Sequence, residues 1–197
     1  MREHDVNKLD NFIAGWYSED ISICDDIINY FHTSPDRYPG HSYRAVEQVI
    51  DKSHKDSTDV SHWPDELKQE YFKILGPAVE AYKEKYPNCT LNAGWSIREV
   101  INIQHYEPGQ GFHGWHSERA SADYPSVSRM LVFMTYLNDV TDGGETEFQH
   151  QKLKIRPEKG LTIIWPSDWM FMHRGITSHT QPKTIVTGWF NFLNMQG

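Results

Sequence analysis

His116 and Glu118 stand two residues apart at the end of the stretch Tyr106–Glu118, YEPGQGFHGWHSE. Side chains alternate along an extended strand, so residues two apart project from the same face. One imidazole beside one carboxylate supplies two of the three ligands of a 2-His-1-carboxylate facial triad. That arrangement holds non-haem Fe(II) on one side and leaves coordination positions open on the other. The third ligand must come from elsewhere in the chain. Of the eleven histidines, His173 is the candidate, because it follows the apolar run Met170–Met172 that suits a buried strand. It also lies several strands downstream, as an antiparallel sandwich requires to bring two distant segments together. His113, three residues before His116, would face the opposite side of a strand and is left out.

A second chemical feature is Lys183, at the head of the run KTIVTGW that ends at Trp189. A cation within an otherwise hydrophobic strand is costly unless an anion meets it. A dicarboxylic co-substrate could chelate the metal at one end and meet Lys183 and the Thr187 hydroxyl at the other, since four residues along a strand share a face. Alternatively Lys183 begins its strand in solvent, as Pro182 before it allows.

These residues need strands to position them, and the second half of the chain reads that way. Ile97, Glu99, Ile101, Ile103 and His105 alternate with Arg98, Val100, Asn102, Gln104 and Tyr106, the period of a strand. Further extended segments are expected at 130–137, 146–149, 152–156, 161–165, 170–174 and 184–193, with Asp142-Gly143-Gly144 as a turn. Short strands with regular turns mean an antiparallel sandwich or barrel. The first half is richer in helix. Ser18 followed by Glu19 and Asp20 marks a helix start, and Ile23, Ile27 and Phe31 give a buried stripe over about 19–32. Leu67, Tyr71, Leu75, Val79 and Tyr82 mark a second helical region, with a kink or break expected at Gly76-Pro77. The polar connection 32–62 reads as a functional loop or a set of short strands, and its run Lys55–Asp59 as a solvated surface loop rather than part of a substrate mouth.

The composition agrees with a folded chain: hydrophobic residues are 38% and aromatics 13%, enough for a core. A net charge of -8 argues against broad binding to nucleic acid or anionic membranes, while a local basic groove stays open. Cys24 and Cys89 make no disulfide framework, so reduced thiols are expected. The polar N-terminus lacks the apolar run of a signal peptide, and no stretch approaches a membrane span, so a soluble, cytoplasmic protein is expected. One domain spanning 1–197 is expected, with a helix-rich part and substrate loops over 1–90 and the strand-rich part over 91–197.

Residues of about 95–195 resemble the Fe(II)/2-oxoglutarate-dependent dioxygenases of prolyl 4-hydroxylase type. The resemblance rests on an ordered series: Tyr106-Glu-Pro-Gly109, Phe112 and His116; Tyr136-Leu-Asn138; Gly143-Gly144, Thr146 and Phe148; Pro157 and Gly160; Trp165-Pro166; His173; and Lys183 to Trp189. It implies an α+β, mainly β fold, with a double-stranded β-helix (jelly-roll) core and N-terminal helices packed on it. It implies iron ligands at His116, Glu118 and His173, and an anchor for the distal carboxylate of 2-oxoglutarate at Lys183. Tyr106, Tyr136 and Thr187 would be supporting hydroxyls. The cofactors implied are Fe(II), 2-oxoglutarate as co-substrate, and ascorbate. The reaction implied consumes O2, releases succinate and CO2 and hydroxylates a C–H bond, a peptidyl proline being the first expectation. Free amino acids and small metabolites stay open as substrates, because the choice lies in loops such as 33–62 and 119–128. The departure is Glu118, where the family usually has Asp: with one more methylene, the metal must shift or the carboxylate fold back. Trp115, Trp165 and Trp189 could wall the pocket or simply pack the core.

Two other readings stay open. One is a non-catalytic jelly-roll binding module, and the other a cupin-like metalloenzyme that uses no keto-acid.

Overall fold

The computed structural model describes residues 1–44, 47–91 and 93–193. In chain order the N-terminal part holds β1 (Arg2–Glu3), β2 (Ala14–Tyr17), α1 (Ser22–Thr33), β3 (Tyr38–Pro39), β4 (Ser42–Arg44), β5 (Glu47–Val49), β6 (Lys55–Asp56), β7 (Thr58–Val60) and α2 (Asp65–Lys85). The remainder is β8 (Trp95–Ile97), β9 (Asn102–Tyr106), β10 (Gly111–Phe112), β11 (Arg129–Tyr136), β12 (Thr146–Phe148), β13 (Leu153–Ile155), β14 (Leu161–Pro166), β15 (His173–Gly175) and β16 (Lys183–Phe192).

The major sheet runs β1-β2-β14-β11-β16-β9-β7-β3, with β8 also paired to β16, and every pairing in it is antiparallel. A smaller sheet, β13-β12-β15, faces it, and His116 bridges to His173 at that sheet's edge. This is a double-stranded β-helix, mainly β, with two helices added. Alternation along β16 shows how the layers divide. Lys183, Ile185, Thr187 and Trp189 line the cavity between the sheets, whereas Val186 and Phe190 join the core under the helices.

The helices pack on that outer face. In α1 the four-residue stripe Ile23, Ile27 and Phe31 is buried, and in α2 so are Tyr71, Leu75 and Val79 with Tyr82. Acids in the first turn of α2, Asp65 and Glu66, and Lys83 and Lys85 in its last turn complement the helix dipole. Tyr71 ties this helix to the sheet through a buried hydroxyl relay: its oxygen is 2.8 Å from Thr135 Oγ1, which is 2.7 Å from Thr162 Oγ1. No helix among the described residues is long and apolar enough to cross a membrane. Cys24 and Cys89 are free thiols.

Four local expectations need correction. Helix α1 begins at Ser22 rather than near Glu19; Ser18 gives its hydroxyl to the Asp20 carbonyl and caps nothing. Of the kink or break expected at Gly76-Pro77, the break does not occur: Pro77 lies inside one helix from Asp65 to Lys85. The alternating run 97–106 is two strands, separated at 98–101, that pair with the two ends of β16. Residues 169–171 form a short 3-10 turn, and β15 starts only at His173. The connection 32–62 does contain short strands: β7 extends the major sheet beside β9, and β6 pairs with β10.

Candidate metal centre and co-substrate pocket

His116 and His173 are brought together by two reciprocal backbone hydrogen bonds, His116 N to His173 O at 3.0 Å and His173 N to His116 O at 2.9 Å. Glu118, two residues on, projects to the same place. Its Oε1 lies 3.6 Å from His116 Nε2 and 3.4 Å from His173 Nε2. Donors about 2.1 Å from a shared divalent ion are separated by about 3.0–3.4 Å, so the spacing suits a metal. The three ligand atoms all lie within 4.8 Å of one another, and they form the one such group of His, Cys, Asp or Glu among the described residues.

The tautomers also fit. His116 Nδ1 is 3.0 Å from the Gly114 carbonyl oxygen and His173 Nδ1 is 2.9 Å from that of Phe171. A carbonyl only accepts, so each Nδ1 carries the proton and each Nε2 presents its lone pair inward. Phe112 stacks on His116 with centroids 3.7 Å apart, and Trp165 meets His173 edge-on at 5.1 Å. Burial pushes the Glu118 carboxyl up, but with no metal between them the two imidazoles, when protonated at Nε2, outweigh it and hold the group well below the usual carboxylate range. Burial and the neighbouring His173 lower His116, which keeps its imidazole neutral. A metal here would meet two imidazole Nε2 atoms and one carboxylate oxygen.

The triad opens on a cavity of about 510 Å³. Lys183 lies on its wall, 5% exposed, with its ammonium donating to the Gly144 carbonyl oxygen at 3.0 Å and lying 4.9 Å from the centre of the Tyr106 ring. Among the described residues no carboxylate pairs with it. Burial lowers its pKa to about 8. A buried ammonium with one neutral acceptor is what a carboxylate ligand would complete.

The supporting hydroxyls separate. Tyr106 lines the cavity and donates to Gln104 Oε1 at 2.8 Å. Thr187 also lines it, its hydroxyl given to the Phe133 carbonyl at 3.0 Å. Tyr136 is fully buried but is not among the lining residues; its hydroxyl donates to Thr146 Oγ1 at 2.7 Å, and Thr146 is the one that reaches the cavity. Trp165 and Trp189 line the cavity, whereas Trp115 lies under the Arg174 guanidinium at 4.5 Å.

With this geometry in place, residues 101–191 match the model of the 2OG-Fe(II) oxygenase superfamily. No curated protein matches the chain by sequence. Among solved structures, a prolyl hydroxylase from Trichoplax adhaerens, in complex with a hypoxia inducible factor oxygen degradation domain peptide fragment, is similar at a TM-score of 0.75. Identity is 18%, over 97% of this chain and 91% of that one. A Pseudomonas putida prolyl-4-hydroxylase is similar at 0.68 with 14% identity, over 98% of this chain and 97% of that one. A viral collagen prolyl hydroxylase from Paramecium Bursaria Chlorella virus-1, in its 2OG complex, gives 0.66 and 19%, over 92% and 96%.

The solvated-loop expectation for Lys55–Asp59 is overturned. Lys55 and Asp59 side chains are 4% and 5% exposed, joined by a 2.6 Å ion pair, and both line the cavity. Strand β7 carries Asp59 into the sheet opposite Gln104 of β9, which a charge run by itself does not reveal. Two residues around Glu118 also escaped sequence reading: Arg129 and Glu99, linked by a two-armed ion pair at 2.9 and 2.5 Å. They stand thirty positions apart, and the pairing of β16 with β11 on one side and with β8 and β9 on the other brings them together.

Proposed function

We propose that the protein is a 2-oxoglutarate-dependent hydroxylase that inserts oxygen into a C–H bond of a prolyl residue in a protein or peptide, releasing succinate and CO2. The observation that carries the reading is Lys183: a buried ammonium without a carboxylate partner among the described residues, on the wall of the cavity that the His116, Glu118, His173 group opens onto. In this reading the three residues hold Fe(II), which when bound with 2-oxoglutarate supplies the O2-consuming oxidation. Lys183 receives the distal carboxylate, with the Tyr106 ring 4.9 Å from its ammonium and Thr187 and Thr146 on the wall of the same cavity. Met134, Ile185 and Trp165 give that space apolar walls that exclude water.

The prime substrate would enter between two segments. Tyr38 and His41 line one part of the cavity, and Tyr124 and Pro125 another. A peptide substrate is supported by the peptide bound in the Trichoplax relative and by the other two similar structures, both of prolyl hydroxylases. The non-catalytic module and the keto-acid-independent enzyme both leave the buried Lys183 without a purpose, and nothing in the site favours either.

The test is succinate formation from 2-oxoglutarate by anaerobically Fe(II)-loaded protein on exposure to O2, with ascorbate as reductant and Glu118→Ala as control. Succinate above the control is expected, followed by a gain of one oxygen on proline in a peptide panel. Absence of both Fe(II)-dependent 2-oxoglutarate binding and succinate would refute the oxygenase reading. Succinate with no hydroxyproline on any peptide, but oxidation of a small molecule, would refute the prolyl assignment alone.

A further inference from the structure

Glu118 offers one oxygen to the metal position, and its other oxygen is held from the opposite sheet. Oε2 accepts a hydrogen bond from Trp189 Nε1 at 2.9 Å. Arg129 Nη1 is 3.6 Å from the same oxygen and donates to the Glu118 backbone carbonyl at 3.0 Å. The Arg129 guanidinium lies 3.7 Å from the centre of the Trp189 ring, so it also fixes the plane of the indole. Behind it Glu99 takes both arms of Arg129, and Asn191 Nδ2 donates to Glu99 Oε1 at 2.8 Å. The chain of contacts runs from the end of β16 to a single carboxylate oxygen.

We infer that Trp189, steadied by Arg129 and Glu99, is a positioning residue that fits this metal centre to glutamate, leaving only Oε1 of Glu118 free for the ion. The inference rests on the metal-site reading above. Its physical basis is reach. Removing one methylene retracts the carboxylate by about 1.5 Å, the length of a C–C bond. A retraction of that size is enough to break either the 2.9 Å contact to the indole nitrogen or the 3.4 and 3.6 Å spacing to the histidines. The added methylene of Glu118 is thus used to span the gap to Trp189, and the carboxylate need not fold back. The two oxygens are then not equivalent. Oε1 faces the two Nε2 atoms, while Oε2 is held by an indole N–H that cannot rotate away because the ring is stacked.

The experiment measures affinity for Mn(II) alone, by the electron paramagnetic resonance of the free ion, and records the absorption of the Co(II) form. Wild type, Trp189→Phe, Glu118→Asp and the double variant are compared, each checked for a cooperative thermal melt. Losing a partner of a metal ligand costs about 10–100-fold in metal affinity, and Trp189→Phe should show a loss of that size with a changed Co(II) spectrum. Glu118→Asp should also bind more weakly than wild type. The double variant should bind about as well as Glu118→Asp, because Trp189 has no carboxylate left to hold. Losses that simply add would make Trp189 a packing residue and overturn the inference, as would Glu118→Asp binding as tightly as wild type. Should Trp189→Phe fail to fold, the Glu118→Asp comparison decides by itself. Wild type that binds neither ion would refute the metal-site reading, whereas tight wild-type binding unaffected by Trp189→Phe refutes only the positioning role.

Discussion

Replacing Lys183 by methionine is expected to make the protein more stable and, at the same time, less able to hold a dicarboxylate. Burial sets the Lys183 pKa at about 8, against 10.5 for an ordinary lysine. At about 1.4 kcal/mol per pH unit, the buried charge opposes folding by about 3 kcal/mol at neutral pH. Methionine fills much of the same space without the charge, but it forfeits the hydrogen bond to the Gly144 carbonyl, worth about 1 kcal/mol. The net gain is about 2 kcal/mol, which for a chain of this size raises the melting temperature by about 4–8 °C. The pH dependence has a definite sign. Between pH 8 and 10.5 the unfolded chain keeps the proton that the native state has lost. Wild-type stability therefore rises with pH across that window, and the advantage of Lys183→Met disappears there. The ligand acts in the opposite sense. With Mn(II) present, 2-oxoglutarate should raise the wild-type melting temperature and barely move that of the variant. Losing a charge-assisted bond costs about 10–100-fold in affinity. Wild-type affinity for 2-oxoglutarate should likewise fall as pH rises above 8. Differential scanning fluorimetry across pH, with and without 2-oxoglutarate, reads all of this. A variant that melts below wild type at pH 7, or that keeps the full 2-oxoglutarate shift, would refute the reasoning.

Lys55→Met should destabilise the fold by about 3–5 kcal/mol in a denaturant titration, because it leaves Asp59 buried at 5% exposure without its cation, and adding Asp59→Asn should restore much of the loss. Gly143→Ala should cost about 2 kcal/mol or more by the same measurement. Its φ of 102° is unfavourable for any residue with a Cβ, and the added carbon would run into the Thr177 carbonyl oxygen. Because this turn carries Gly144, the acceptor of Lys183, the variant should also bind 2-oxoglutarate more weakly at a temperature where it is folded.

Much of the β architecture was legible because alternation is local. Six extended segments downstream of residue 129 fall within a few residues of the strands observed, and Asn102, Gln104 and Tyr106 share the cavity face as a period of two requires. The stripes of both helices were legible for the same reason. Helix boundaries were not: Ser18 looks like a cap, yet β2 and the Asp20 turn delay the start of α1 to Ser22. The run Lys55–Asp59 has the composition of a solvated loop, yet its charges neutralise each other inside the fold, and composition does not show which charges meet.

Local sequence was enough to say that His116 and Glu118 share a face, that a lysine stands at the head of a hydrophobic strand, and that turns such as Asp142-Gly144 separate the strands. These depend on neighbours one to four residues away and on the fixed stereochemistry of the chain. Tertiary structure alone decided that His173 exchanges backbone hydrogen bonds with His116, that Lys183 lacks a carboxylate partner among the described residues, and that Trp189 reaches across the cavity to Glu118. The His116–His173, Lys183–Gly144 and Trp189–Glu118 contacts join residues 57, 39 and 71 positions apart. They are set by which strands pair and in what register, and a shift of one residue in β16 would turn both Lys183 and Trp189 away from the cavity.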